Sequence, residues 1–164
     1  MSRFVLAILI AAVQSLAPNG RSGPEYSLSV SGDGVRSAKL TVADLEKLDQ
    51  VKASVHEHDG SVASYEGPTL YDVLKQSGVV VADHPGKAMS AYVAVTASDG
   101  YEVVFGLGEA VPAISGRTII LADHMDGKPL PENVGPVRLI VDGDKAQARC
   151  IRMVTGIKLV QLRR

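Results

Sequence analysis

The chain has 164 residues, with 17 Lys and Arg against 18 Asp and Glu and a formal net charge of -1; neither sign is gathered into a block that would follow a phosphate backbone or an anionic membrane. That length suits one well-buried core rather than two. Sixteen Gly, two Phe and no Trp describe a turn-rich, aliphatic sheet protein without the aromatic platforms of base-binding proteins, so nucleic acid is set aside as a partner.

Arg3 precedes the apolar run Phe4 to Val13, and polar Gln14 and Ser15 follow it. A basic start, about ten apolar residues and small residues after them form a secretory leader pattern, and the run falls well short of the ~20 residues of a membrane-spanning helix. Residues 1–17 are therefore read as a signal peptide, which places the mature protein in the periplasm or outside the cell with no membrane span. Residues 18–37 hold a Pro- and Gly-rich linker and a first strand, Tyr26 to Val30, and residues 38–164 form the domain.

Thr41, with acidic Asp44 three positions on and Leu45 and Leu48 behind it, opens a short amphipathic helix. Val51, Ala53 and Val55 alternate with Lys52 and Ser54 in a strand ending at His56, and Asp59-Gly60 turns the chain into a hairpin partner, Val62 to Tyr65. Pro68 and Thr69 start a second helix that buries Leu70, Val73 and Leu74 and stops at Gly78. Val79 to Ser90 reads as a surface loop. Tyr92–Ala97 and Tyr101–Phe105 make the clearest hairpin, Gly108–Val111 a helical turn cut off by Pro112, and Thr118–Ala122, Val137–Val141 and Ile157–Gln161 three late strands. Alternation around Cys150 adds an expected strand with Ala148, Cys150 and Arg152 on one face. The fold class is α+β, a mixed sheet with hairpins and a few short helices.

His56 and His58 share a face if their strand persists through them, and neutral imidazoles could begin a zinc or copper site. A third ligand would have to come from elsewhere, His84 and His124 being the remaining histidines; otherwise the pair is polar decoration at a hairpin rim. Cys150 is the single cysteine, read as a small buried hydrophobe rather than a reactive thiol. Arg138 is read as architectural, paired with Glu132 or Asp123, or else as a fork that holds an anion in a cleft. Tyr101 packs and keeps its hydroxyl wet, and Asp126-Gly127 reverses the chain.

Two blocks carry a resemblance. Gly67-Pro68-Thr69-Leu70-Tyr71-Asp72-Val73-Leu74, and Leu121-Ala122-Asp123-His124-Met125-Asp126-Gly127-Lys128-Pro129-Leu130-Pro131 followed by Gly135-Pro136-Val137-Arg138-Leu139-Ile140-Val141, resemble in that order the oxidoreductase molybdopterin-binding domain of the sulfite oxidase family. The resemblance runs from about Leu40 to Leu162 and implies a single sulfite-oxidase-type domain. In that family a strand just before the first block ends in a cysteine whose thiolate binds molybdenum. The matching position here is at about Glu57, in Ser54-Val55-His56-Glu57-His58-Asp59-Gly60, which has no cysteine. The resemblance also places Arg138 at the family's basic strand position.

The resulting expectation is an exported, accessory, non-catalytic protein with no catalytic residue assigned. It would bind a small polar ligand or a metal in the former cofactor cleft through His56, Glu57, His58 and Arg138, with zinc or copper on His56 and His58. Molybdopterin is implied by the resemblance alone. The alternatives are a molybdenum-cofactor oxidoreductase with a non-cysteine ligand set, and an interaction module for a periplasmic redox partner.

Overall fold

The computed structural model describes residues 26–81 and 85–162; the expected leader and His84 lie outside them. In chain order the elements are β1 (Leu28–Gly32), β2 (Ala38–Leu40), α1 (Val42–Leu45), β3 (Gln50–His56), β4 (Val62–Pro68), α2 (Leu70–Gln76), α3 (Pro85–Ala88), β5 (Ala91–Ala97) and β6 (Glu102–Gly106). Then come α4 (Leu107–Ala110), α5 (Pro112–Ser115), β7 (Ile119–Ala122), β8 (His124–Met125), β9 (Lys128–Pro129), β10 (Arg138–Val141), a 3-10 turn over Gln147–Arg149, and β11 (Val154–Gln161). Strands with short helices make this an α+β domain, as expected.

The described residues form three sheets: β2-β1-β11-β5-β6, β3-β4-β8-β9 and the pair β10-β7. In the first sheet β11 runs parallel to β1 and antiparallel to β5, so the last strand is inserted between early and middle elements and closes the domain. The Tyr26 hydroxyl donates to the Val154 carbonyl at 2.6 Å, tying the start of the described chain to the same strand. The first strand begins two residues later than the alternation suggested, at Leu28.

All four residues of β7 and all four of β10 are buried, which the apolar runs Ile119-Ile120-Leu121-Ala122 and Leu139-Ile140-Val141 require. Against this pair β4 comes so close that a Cβ on Gly67 would stand 2.2 Å from the Leu121 carbonyl oxygen. A backbone without a side chain at Gly67 is therefore a condition of the packing. β3 and β4 pair from Gln50 opposite Pro68 to His56 opposite Val62, turning Ala53, Val55, Ala63 and Tyr65 inward as their period of two predicts.

Both expected helix starts are present. Thr41 and Asp44 form a reciprocal capping box, and the Thr69 hydroxyl accepts the Asp72 N–H at 3.0 Å; each satisfies an orphan donor of a first turn. One expectation is corrected: the segment 79–90 is more than a surface loop, since it contains α3, and Val79, Val81 and Ala88 are buried. The expected helical turn is present as α4, which stops at Ala110 with Val111 extended before Pro112; Pro112 then opens α5, where its missing N–H costs nothing.

Candidate functional site

Two carboxylate clusters lie at opposite ends of the β3–β4 hairpin. At the turn end β3 stops with His56, and the Glu57 N–H donates to the Ser61 carbonyl at 2.8 Å. His56 and His58 are both exposed, and β3 ends at His56, so the strand on which a two-residue spacing would share a face does not reach His58. Among the described residues no group of three or more His, Cys, Asp and Glu comes together as a metal would need.

Glu57 instead points at Arg138. The guanidinium Nη1 donates to Glu57 Oε1 at 3.0 Å, and the Tyr65 hydroxyl donates to the same oxygen at 2.6 Å. Nη1 also contacts the Tyr65 hydroxyl directly, and the guanidinium lies 4.9 Å from the centre of the Tyr65 ring. Nη2 donates to Gln147 Oε1 at 3.1 Å, while Gln147 Nε2 donates to the His56 carbonyl. The Arg138 side chain is 4% exposed and that of Glu57 22%; Arg138 Nε has no bonding partner among the described residues.

The expected pairing of Arg138 with Glu132 or Asp123 is thus corrected to Glu57, from which 81 positions separate it. The reason is the packing of β10 beside β3, which aims the guanidinium across the Tyr65 face, while Asp123 lies toward the other end of the hairpin, next to His124 of β8. Burial alone would raise the Glu57 carboxyl, but the Tyr65 and Arg138 hydrogen bonds and the guanidinium charge outweigh it and hold the group below its ordinary value. The Tyr65 phenol moves the other way, raised first by burial and then by the carboxylate it serves. Tyr65 could have been suspected from the sequence, since its place in the alternation buries it and a buried hydroxyl needs a partner. Nothing in the sequence pointed to Gln147.

Beside this network lies a cleft of about 360 Å³, lined among others by Ser54, His56, Asp142, Lys145, Gln147 and Cys150. The chain's one thiol sits on its wall, buried, where Sγ accepts the Val141 N–H at 3.4 Å. Burial pushes that thiol up from its ordinary value, away from the thiolate that binds metals. Its segment is no strand: Gln147–Arg149 forms the 3-10 turn, and β11 begins only at Val154. The turn is pinned by Arg149, which donates to Asp144 through Nε at 2.8 Å and to Glu109 through Nη1 at 2.8 Å.

At the far end of the hairpin, Glu66 pairs with His124 of β8. Val62 faces His56 across the ladder, so His124 enters four residues along β4 from there, at a strand rise that amounts to about 13 Å. His124 does not join His56. Its Nδ1 bonds Asp123 Oδ1 at 2.7 Å, and the Asp123 side chain is 1% exposed. Asp126 and Gly127, both at positive φ, turn β8 into β9 as expected. The Tyr101 hydroxyl, on a half-exposed side chain, donates to the Ala148 carbonyl at 3.1 Å.

Comparisons with known proteins agree on the scaffold. The family model described as "Oxidoreductase molybdopterin binding domain" matches residues 15–163. Comparison with the curated proteins gives no match. Among solved structures, the crystal structure of the sulfane dehydrogenase SoxCD from Paracoccus pantotrophus superposes with a TM-score of 0.60 at 17% sequence identity, over 82% of this chain and 38% of that one. At that identity the likeness is one of fold, and the chain spans well under half of that protein's length.

Proposed function

We infer the function from the premise that this chain belongs to the oxidoreductase molybdopterin-binding domain family, and that its own residues answer whether the family's cofactor fits. They do not fit it as a molybdenum ligand set. A soft thiolate is what such a site supplies; the position that the resemblance assigns to it carries Glu57, whose Oε1 is already engaged by Arg138 at 3.0 Å and Tyr65 at 2.6 Å. Freeing that oxygen for a metal would leave a guanidinium that is 4% exposed without its counter-charge, an expensive state in a protein interior. Cys150 offers no substitute, being buried with its thiol held in the neutral form.

The reading is an exported, accessory member of the family that carries out no molybdenum chemistry and binds a small polar ligand in the cleft beside the Glu57–Arg138 pair. His56 and Lys145 would offer donors to that ligand, and Ser54 and Asp142 acceptors. The leader pattern of residues 1–17 supports export. The observation that carries the reading is the single Glu57 oxygen shared by Arg138 and Tyr65.

The test is elemental analysis together with fluorescence detection of oxidised pterin, on full-length protein produced with its leader in a host that makes the cofactor. Molybdenum and pterin both far below one per chain are expected. One of each per chain would overturn the reading and make the protein a molybdenum enzyme with a non-cysteine ligand set.

A further inference from the structure

The Asp123 carboxylate is buried to 1% exposure, yet among the described residues one of its oxygens alone is bonded: Oδ1 takes the His124 Nδ1–H at 2.7 Å, and Oδ2 has no partner there. A buried carboxylate oxygen without a donor is costly, and native structures rarely leave one so. Asp123 lines a cavity of about 200 Å³ together with Glu46, Gln50, Glu66, His124 and Gly127.

The side chains around that cavity accept and do not donate. Gln50 spends its amide hydrogens on the carbonyls of Leu45 and Leu48, at 2.9 and 2.8 Å, which leaves its side-chain oxygen free to accept. An ionised carboxylate can only accept, so the hydrogen shared with Asp123 Oδ1 belongs to His124 Nδ1, and in that tautomer Nε2 is a further acceptor. Glu46 is exposed. Glu66 has a loose neighbour in Lys52, 3.6 Å away and 70% exposed, an ion pair of the solvent-screened kind that contributes little.

We propose that this cavity is a binding site for a hydrogen-bond-donating organic cation, a guanidinium or primary ammonium group, seated over the Asp123 carboxylate with Gln50 and Glu66 as its flanking acceptors. Several N–H donors in a planar fork or a compact tripod match acceptors spread over three elements. A bare metal ion would need them gathered around one point, which they are not among the described residues. The site lies at the opposite end of the hairpin from the Glu57 network and stands independently of the cofactor question. Such a cation could arrive as a free amine or as an Arg or Lys side chain of a partner protein.

The experiment is a ¹H–¹⁵N titration of the intact protein with methylguanidinium chloride, propylammonium chloride and an acetylated, amidated Gly-Arg-Gly peptide, each against sodium chloride at equal ionic strength. Saturable shifts are expected at the Asp123 and His124 amides and the Gln50 side-chain amide. Glu66→Gln, on a partly exposed residue whose backbone pairing is untouched, is expected to weaken binding about tenfold, the size of one lost charge-assisted hydrogen bond; Asp123→Asn is expected to weaken it at least as much. Equal affinity for the small cations and the peptide assigns a free amine ligand, and markedly tighter peptide binding assigns a partner's side chain. Absence of any saturable shift beyond the salt reference, or unchanged binding in both variants, would overturn the proposal.

Discussion

The hairpin of β3 and β4 brings a carboxylate cluster to each of its ends, and the fold treats the two in opposite ways. At the turn end, Glu57 receives a guanidinium and a phenol on one oxygen, and the charges of the pair cancel inside the protein. At the other end, Asp123 is more deeply buried than Glu57, with 1% of its side chain exposed against 22%, yet among the described residues it keeps an oxygen without a donor. Residue types alone would rank them the other way, because His-Glu-His reads as ligand chemistry and Asp-His before a turn reads as structure. The difference teaches that the capacity to bind follows unspent hydrogen-bonding groups rather than the density of titratable side chains.

The largest effect should come from opening the closed end. Arg138→Met would leave Glu57 and Tyr65 facing each other without a cation, and urea unfolding is expected to show a loss of about 3–5 kcal/mol, the range for removing one partner of a buried pair. Adding Glu57→Gln to Arg138→Met should restore a part of that loss, since the remaining charge is then gone. A loss below about 1 kcal/mol in the single variant would mean that the pair behaves as an exposed one, and the contrast between the two ends would fail. Next in size is the inertness of the one thiol on the cleft wall. Native Cys150 should react with a thiol reagent at pH 8 about a hundredfold more slowly than in urea-unfolded protein, because burial disfavours its thiolate; equal rates would mean that the wall opens freely.

Acid sharpens the comparison further. The folded Glu57 carboxyl lies below its unfolded value, so its stabilisation is fully present above the ordinary value of 4.5 and is lost as the pH falls through the folded value. Asp72 and Asp144 are depressed as well and share the acid slope. Glu57→Gln should therefore flatten, without abolishing, the decline of stability below about pH 4.5, at a cost of about 3 kcal/mol at neutral pH, since it leaves the buried Arg138 guanidinium without its counter-charge while Gln keeps an acceptor oxygen. An acid slope identical to that of the parent protein would show that the carboxyl titrates alike in both states.

Much of the scaffold was legible because it is written locally. The alternation of Ala53 and Val55, the Thr41 and Thr69 caps, the Asp126-Gly127 turn and the β5–β6 hairpin each depend on neighbours a few residues away. The resemblance carried by residues 67–74 and 121–141 then supplied the order in which they assemble, and the match over residues 15–163 agrees with it. The site was less legible, since its contacts cross long stretches of chain. Arg138 was singled out but given the wrong partner, because sequence proximity favoured Glu132 and Asp123, whereas the packing of β10 beside β3 decides the matter. The expected strand through Cys150 failed for a related reason: the Arg149 bonds to Asp144, five residues away, and to Glu109, forty away, hold a tight turn, and alternation registers neither anchor. The open oxygen of Asp123 had no sequence signature at all, because an unspent acceptor is defined by what the rest of the fold does not bring to it.

The smallest effect discriminates most finely between the ends. α1 stands beside the open cavity, and its C-terminal cap is Glu46. At its start the Asp44 N–H donates to Thr41 Oγ1 at 3.3 Å while the Thr41 N–H donates to Asp44 Oδ2 at 3.1 Å. Thr41→Ala removes half of that box and should cost about 1 kcal/mol in global stability. The loss is local in origin, so hydrogen exchange should quicken at the amides of Asp44, Leu45 and Glu46, while the β3–β4 amides around Tyr65 keep their protection. Methylguanidinium binding should weaken by only about twofold, since a frayed α1 loosens Glu46 at the rim, an exposed charge of modest worth, and leaves Asp123 in place. Equal quickening at Tyr65 would show that the two ends unfold as one unit, and their opposite treatment of a carboxylate would then reflect one shared equilibrium rather than two separately built environments.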